Sequence, residues 1–534
     1  MKILFYNWVD YLDDERRGGG VSIYQKNLIH ALNEEDDVEC LFLSSGISYD
    51  LFSDKPRWTK VQHGPAEDRD LRYEIVNSGA LAPGQHSFGN PAQINEPATE
   101  DVFFDFIRTH GPFDVVHFNN LEGVPAAVLA LKEHFPDTQV VLSLHNYFPI
   151  CPQVNLWYNE EENCVDYDKG RKCVTCLPFQ HDERVIRIAN AVAFNLKKNG
   201  IRPGTRLFDR GFGPAMRVAA RAVRVYNRRF RKGKSAKTML AAPKPGQVLE
   251  KLEARNLKFL NRRHQMAELI NTHCDVVLCV SDRVGQVAAR YGLAPELLET
   301  SYIGTRHAKK FLETQPKVRL LKNDGTLTLA YLGYMRRDKG FFFLLEALEE
   351  MPDAMAARIN LVIASRRGDH ETMEQVVALS ERFASVQYAD GYSHDQLDGL
   401  LADVDLGVIP VLWEDNLPQV AIEIHARHIP LLTSDLGGAQ ELGRCPDLIF
   451  QSGDVESFNA KIAAILEDEV DLSSYWQGAM APYSMDNHVA ELREIYASKP
   501  RAIELRPSAP GADPQLRLQA DIEAEEDAAV AALL

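Results

Sequence analysis

Short apolar runs alternate with longer stretches of helical period along most of this chain, and the alternation occurs twice. Near the amino terminus, Lys2 to Tyr6 reads as a buried strand. A Gly18-Gly19-Gly20 loop follows, and then Ile23, Leu28, Ala31 and Leu32 recur at helical spacing. Phe113 to Phe118, Gln139 to Leu144 and Asp275 to Val280 are further apolar runs, with a helical stretch at Pro125 to His134. The same grammar restarts at Leu327 to Leu332 and continues through Ile359 to Ala364, Ser385 to Tyr388, Leu406 to Ile409 and Ile429 to Leu432. Strands that are apolar throughout, separated by helices, belong to parallel sheets covered on both faces. The pattern therefore predicts an α/β protein of two Rossmann-like domains, joined near residues 310 to 325, with a crevice at the strand carboxyl ends.

Composition changes this picture little. The chain has 534 residues, 45% hydrophobic and 25% charged, which suits two soluble domains with appendages. No apolar run reaches the length of a membrane span, and MKILFYNWVD lacks the parts of a signal peptide, so a cytoplasmic location is expected. A formal net charge of -17 argues against nucleic-acid binding by the whole chain. One segment departs from that average. Arg184 to Lys237 holds sixteen Lys and Arg against the single acid Asp209, and Arg217, Arg221, Arg224 and Arg228 fall on one helical face. That face suits an anionic membrane surface, or is simply solvated. Arg231 to Gln247 then reads as a loop, interrupted by Pro243, Pro245 and Gly246. Beyond Lys499 no core face is visible, and a mobile tail is expected over 499–534.

The chemistry concentrates in two stretches. In Trp413 to Leu442, Asp415 precedes Asn416, Leu417 and Pro418, which open a helix, and Glu423 follows about two turns on. Free amides at such a turn suit an anion, and a carboxylate two turns later can accept hydrogen bonds from ribose hydroxyls. A short strand and the pair Gly437-Gly438 come next. In the second stretch, Gly333 to Gly340, a strand turns into a helix beside Arg336, Arg337 and Lys339, so cations and amides converge where a diphosphate could sit. On the amino-terminal side, His145 closes an apolar strand at the crevice edge, and His117 ends another in what reads as a structural role.

These stretches resemble the donor-binding signature of the retaining nucleotide-sugar glycosyltransferases of family four. The resemblance implies the GT-B architecture, with an amino-terminal acceptor-side domain at 1–315 that carries an insertion at about 151–262. A donor domain would occupy 316–482, and a helix at 483–498 would cross back. It further implies catalytic roles for His145, Lys339 and Asp415. Donor contacts would come from Gly19, Gly20, Arg336, Arg337, Gly391, Tyr392, Asn416, Leu417 and Glu423. Tyr334 stands where the family carries a phosphate-binding arginine, a departure that weakens the expected phosphate grip. The reaction expected is transfer from a nucleoside-diphosphate sugar to a glycan or lipid-linked acceptor at the inner membrane face, with no metal required for catalysis. A sugar-nucleotide epimerase of the same architecture, a zinc-containing nucleic-acid-binding protein and a non-catalytic sugar-binding relative are the alternatives.

Four of the eight cysteines, Cys151, Cys164, Cys173 and Cys176, crowd into the insertion. The Cys-Val-Thr-Cys pair has zinc-knuckle spacing, and four thiolates would make a closed structural site. Buried free thiols are the other reading, and a reducing compartment disfavours disulfides.

Overall fold

The computed structural model describes residues 1–15, 17–177, 182–212, 214 and 245–502. Most of the basic segment, including Arg217, Arg221, Arg224 and Arg228, and the expected tail from 503 onward lie outside the described residues.

Two parallel sheets form the framework. The first has eight strands: β1 (Lys2–Asn7), β2 (Glu39–Ser48), β3 (Arg57–Lys60), β4 (Arg72–Val76), β5 (Val115–Phe118), β6 (Gln139–Leu144), β9 (Val276–Cys279) and β10 (Leu298–Thr300). Their order is β10-β9-β6-β5-β1-β2-β4-β3, and only the β3–β4 pair is antiparallel. A small hairpin of β7 (Trp157–Tyr158) and β8 (Glu162–Asn163) stands apart in the insertion. The second sheet has β11 (Leu327–Gly333), β12 (Ile359–Ser365), β13 (Ser385–Asp390), β14 (Leu406–Ile409), β15 (Leu431–Ser434) and β16 (Ile449–Phe450), ordered β13-β12-β11-β14-β15-β16. The class is α/β, built as two doubly wound parallel sheets.

Central strands are buried along their whole length because helices cover both faces. Ile3 and Phe5 pack to one side of the first sheet with Leu28, Ile29 and Leu32 of the helix Gly19–Asn33. Leu4 and Tyr6 pack to the other with Phe103 and Phe106. The helix Met485–Tyr496 completes the first of these layers. Its Val489, Leu492 and Tyr496 join the Ile3–Phe5 cluster, and Ser484 caps its start. Polar contacts fix its seat, since Tyr496 Oη meets His117 Nδ1 at 2.6 Å and Tyr24 Oη meets His488 Nε2 at 2.7 Å. His117, whose Nε2 lies 2.7 Å from Ser143 Oγ, is a fully buried structural residue.

Three local expectations needed correction. Pro125 to His134 is a kinked 3-10 segment at Ala126–Glu133, broken at Ala130. Pro245 and Gly246 do not interrupt a helix. Pro245 begins a helix of 29 residues to His273, because its missing N–H is one the first turn leaves unpaired anyway. The apolar run from Ile429 becomes strand only at Leu431, after Pro430, which has no N–H to donate to a ladder.

Burial also sets the charge state of a histidine cluster. Burial lowers the pKa of His145 to about 3 and of His488 to about 4, and holds His117 well below the ordinary imidazole range. The unfolded chain takes up these protons near pH 6.5, whereas the folded chain does not until far lower. Between those values the unfolded state binds more protons, so the cluster withdraws stability as pH falls through 6.5. The variant His488→Gln is therefore expected to lose less Tm than wild type between pH 6.5 and 4.5, since carboxyls titrating in that window are common to both. Equal losses would contradict neutral burial of His488.

Candidate functional site

Lys339, Asp415 and Glu423 from the second sheet's loops, and His145 from the end of β6, open onto one cavity of about 1080 Å³. Gly19, Gly20, Gly391, Tyr392, Asn416 and Leu417 line it as well. Arg336 and Arg337 do not. Arg336 instead makes a two-pronged pair with Asp338, Nε to Oδ1 at 2.9 Å and Nη2 to Oδ2 at 2.8 Å. The arginine that does reach the lining among the described residues is Arg366, just after β12 and beside Gly391.

Lys339 is placed by its neighbour. Gly340 has φ +71° and caps the helix Phe341–Glu349, and a Cβ there would fall 1.5 Å from the carbonyl oxygen of Pro410. Only glycine combines that left-handed conformation with so close an approach. The lysine is thereby aimed across the cavity floor. Its Nζ donates to Asp415 Oδ2 at 2.5 Å and lies 5.2 Å from the centre of the Trp413 ring. Asp415 is backed by the glycine pair, because Gly437 at φ +73° would put a Cβ 2.4 Å from the Asp415 carbonyl oxygen. Asn416 reaches across to the first domain, where Nδ2 donates to the Leu144 carbonyl at 3.2 Å, one residue before His145.

His145 carries no charge at neutral pH. Its Nε2 lies 3.0 Å from Asn119 Oδ1, and its ring packs 5.2 Å from that of Tyr24. Such an imidazole can exchange hydrogen bonds with a sugar hydroxyl but offers no fixed positive charge.

Glu423, on the helix Gln419–His425, is 4% exposed, and burial holds its carboxyl above the usual glutamate range. Tyr392 Oη donates to its Oε2 at 3.2 Å. Two residues that sequence reasoning missed complete this corner: His394 Nδ1 at 3.4 Å and His307 Nε2 at 3.7 Å from Glu423 Oε1. Their ligand atoms and that of Glu423 all lie within 4.8 Å of one another. Burial, and then nearby arginines, lowers the His307 pKa to about 4, and His394 is lowered for the same reasons. Both are therefore neutral partners of the carboxylate at pH 7. No local motif marks them; the loop after β10 and the turn after β13 bring them together.

Several contacts join the two domains around the cavity. Arg283 makes a two-pronged pair with Glu414 at 2.8 and 2.6 Å, Glu441 accepts from the amides of Asp282 and Arg283, and Gln419 Nε2 reaches the Gly20 carbonyl at 3.5 Å. A Cβ on Gly20 would stand 2.7 Å from the terminal amide of Gln419, so a side chain there would displace that contact.

Of the described part of the basic segment, the helix Glu183–Lys198 turns two cations inward. Arg187 donates to the carbonyls of Ser78 and Gly79 at 2.8 and 2.7 Å, and Lys197 pairs with Glu15 at 2.5 Å. No described helix is long and apolar enough to cross a membrane.

Comparison with known proteins agrees with this geometry. Residues 313–479 match the family described as Glycosyl transferases group 1. No curated protein sequence matches the chain. Among solved structures, sucrose-phosphate synthase from Thermosynechococcus elongatus is similar over 93% of this chain and 98% of its own, at 14% identity and a TM-score of 0.51. HepE from Anabaena in complex with UDP aligns over 93% of this chain and 99% of its own, with 12% identity and a TM-score of 0.50. The N-terminal domain of Candida albicans trehalose-6-phosphate phosphatase aligns over 93% and 97%, with 11% identity and a TM-score of 0.50. At such identities the likeness shows the fold. The chain is thus built on the GT-B fold, and its residues 313–479 match the group 1 glycosyl transferases.

Proposed function

We propose that this protein is a retaining glycosyltransferase that moves a hexosyl unit from a nucleoside-diphosphate sugar to a glycan or lipid-linked glycan. The observation that carries the proposal is the convergence of Lys339 and Glu423 from one domain with His145 from the other on a single cavity. In this reading Lys339 exchanges its pairing with Asp415 for the donor diphosphate and stabilises the charge that builds on the leaving phosphate. Asp415, released, faces the sugar. Glu423 accepts from the ribose hydroxyls, and Tyr392 lies beside the base. Arg366 supplies the second cation that Tyr334 does not. The neutral His145 orients a sugar hydroxyl. The acceptor enters from the amino-terminal side, where Tyr11, Asp13 and Glu15 line the cavity. HepE, a fold neighbour, is known in complex with UDP, which favours a uridine donor.

A screen of nucleotide sugars by thermal shift, followed by transfer assays with the stabilising donor, tests this reading. A donor at a hundred times its Kd should add about 2.7 kcal/mol of apparent stability. The product should keep the donor's anomeric configuration. Conversion of the donor without any acceptor would instead mark an epimerase, and an inverted product would refute the retaining assignment.

Glu423→Gln is expected to raise the donor KM roughly tenfold to a hundredfold, the worth of a hydrogen bond to a charged group, with kcat little changed. A loss confined to kcat would remove Glu423 from the ribose.

A further inference from the structure

We propose that Cys151, Cys164, Cys173 and Cys176 hold one zinc ion that braces the loop running from His145 into the insertion. All four cysteines are buried, carry free thiols and line a cavity of about 10 Å³ far smaller than the cleft. That volume suits a single small ion.

The four sulfurs come from three structural contexts. Cys151 ends the loop after β6, where its amide donates to the Tyr147 carbonyl at 2.7 Å. Cys164 follows the β7–β8 hairpin, and its amide donates to Leu156 at 2.7 Å. Cys173 and Cys176 share one turn at the short helix Arg171–Thr175. Two thiolates separated by two residues suit a tetrahedral ion, and four complete a closed site without an open position.

The surrounding backbone is hard to hold without such a centre. Among the described residues, six non-glycine positions between Cys151 and Cys176 have positive φ: Val154, Leu156, Asn159, Glu160, Asp168 and Lys169. A β-branched residue such as Val154, at φ +72°, is an outlier by any measure. Strain of this kind persists where its surroundings enforce it, and the only regular pairing inside the segment is a hairpin of two residues per strand.

A second observation points to an anion in the cavity. Arg263 lines it, is 4% exposed, and has Nε and Nη1 without a hydrogen-bond partner. Its guanidinium rests 3.5 Å from the centre of the Tyr167 ring and 4.8 Å from that of Tyr291. A buried cation of this kind needs a counter-charge. Zinc with four thiolates carries net charge of minus two, and thiolate sulfur accepts N–H donors. Arg262, the preceding residue on the same helix, donates to the carbonyls of Phe148 and Pro149 at 2.9 and 3.3 Å. One helix thus grips both the centre and the loop that leaves His145. Cys176 Sγ donates to Gln153 Oε1 at 2.8 Å and Cys164 Sγ to the Asp166 carbonyl at 3.6 Å. In the proposed centre the four sulfurs would bond the ion at about 2.3 Å.

The test is metal content of the full chain, purified under reducing conditions without chelator. One zinc per chain by plasma mass spectrometry is expected, released when the thiols are titrated with an organomercurial. Reloading the stripped chain with Co²⁺ should give the visible bands of a tetrahedral tetrathiolate. Cys173→Ser/Cys176→Ser should lose the metal, and Arg263→Met, which leaves every ligand in place, should release it to a chelator several-fold faster. A metal-free chain that takes up neither Zn²⁺ nor Co²⁺ would overturn the proposal, as would iron with inorganic sulfide, or disulfides among these cysteines. Each readout is independent of glycosyl transfer.

Discussion

Replacing Lys339 with alanine is expected to lower transfer at saturating donor by about 10²–10³-fold, the cost of removing one preorganised charge from a developing oxyanion. The reason lies in what that lysine faces. It is held by Gly340 and the Trp413 ring, and its partner is Asp415 at 2.5 Å. A diphosphate arriving in the cavity carries more negative charge than one carboxylate and so competes for the ammonium group. Lys339→Arg should rescue little, because a planar fork does not reproduce a compact point charge. The measurement is steady-state kcat and KM with the donor chosen by the thermal screen, together with the donor-induced shift in Tm. If Lys339→Ala keeps both within a factor of three of wild type, the lysine does not contact the phosphates.

Gly340→Ala should be the most damaging single-methyl addition in the second domain. The added Cβ would meet the Pro410 carbonyl oxygen at 1.5 Å and its carbon at 2.4 Å, both backbone atoms with little freedom to yield. To this is added the cost of a left-handed conformation for alanine, about 1–2 kcal/mol. A loss on the order of 3–5 kcal/mol is expected, which for a domain of this size lowers Tm by roughly 10 °C. Gly399→Ala is the matched control. It lies in the helix Leu397–Leu401 with nothing within 4 Å of the added methyl, so it should be neutral or slightly stabilising. Calorimetry on both variants separates close approach from a general intolerance of change. Equal Tm values would mean that the turn placing Lys339 is not held by Pro410.

The framework was legible wherever strands are apolar along their whole length. β1, β5, β6 and β11 are predominantly apolar and buried, since helices cover both faces of such strands. β2 was hidden because its second half, Ser-Ser-Gly-Ile-Ser, is buried although polar. Ser45 Oγ instead donates to the Gly123 carbonyl at 2.7 Å. β3 is the edge strand and β4 its neighbour, and charged residues such as Arg57 and Glu74 interrupt the pattern there.

At the site, residues carried by a local motif could be found, and those assembled by tertiary structure could not. Lys339 stands immediately before the glycine of its turn, and Asp415 and Glu423 are spaced by one helix. Arg336 and Arg337 shared the same loop, yet Asp338 satisfies Arg336 two residues away, an outcome that composition alone does not distinguish from phosphate binding. Arg366, His307 and His394 come from three separate connections, and only the fold places Arg366 and His394 on the cavity lining and His307 against Glu423.

A crystal structure with an intact nucleoside-diphosphate sugar decides between the account and its failure. The expected complex has a phosphate oxygen within about 2.7–3.2 Å of Lys339 Nζ, ribose hydroxyls on the Glu423 carboxylate, and the sugar between Asp415 and His145. A nucleotide bound elsewhere, or one bound in the cleft while Lys339 stays paired with Asp415, would contradict it.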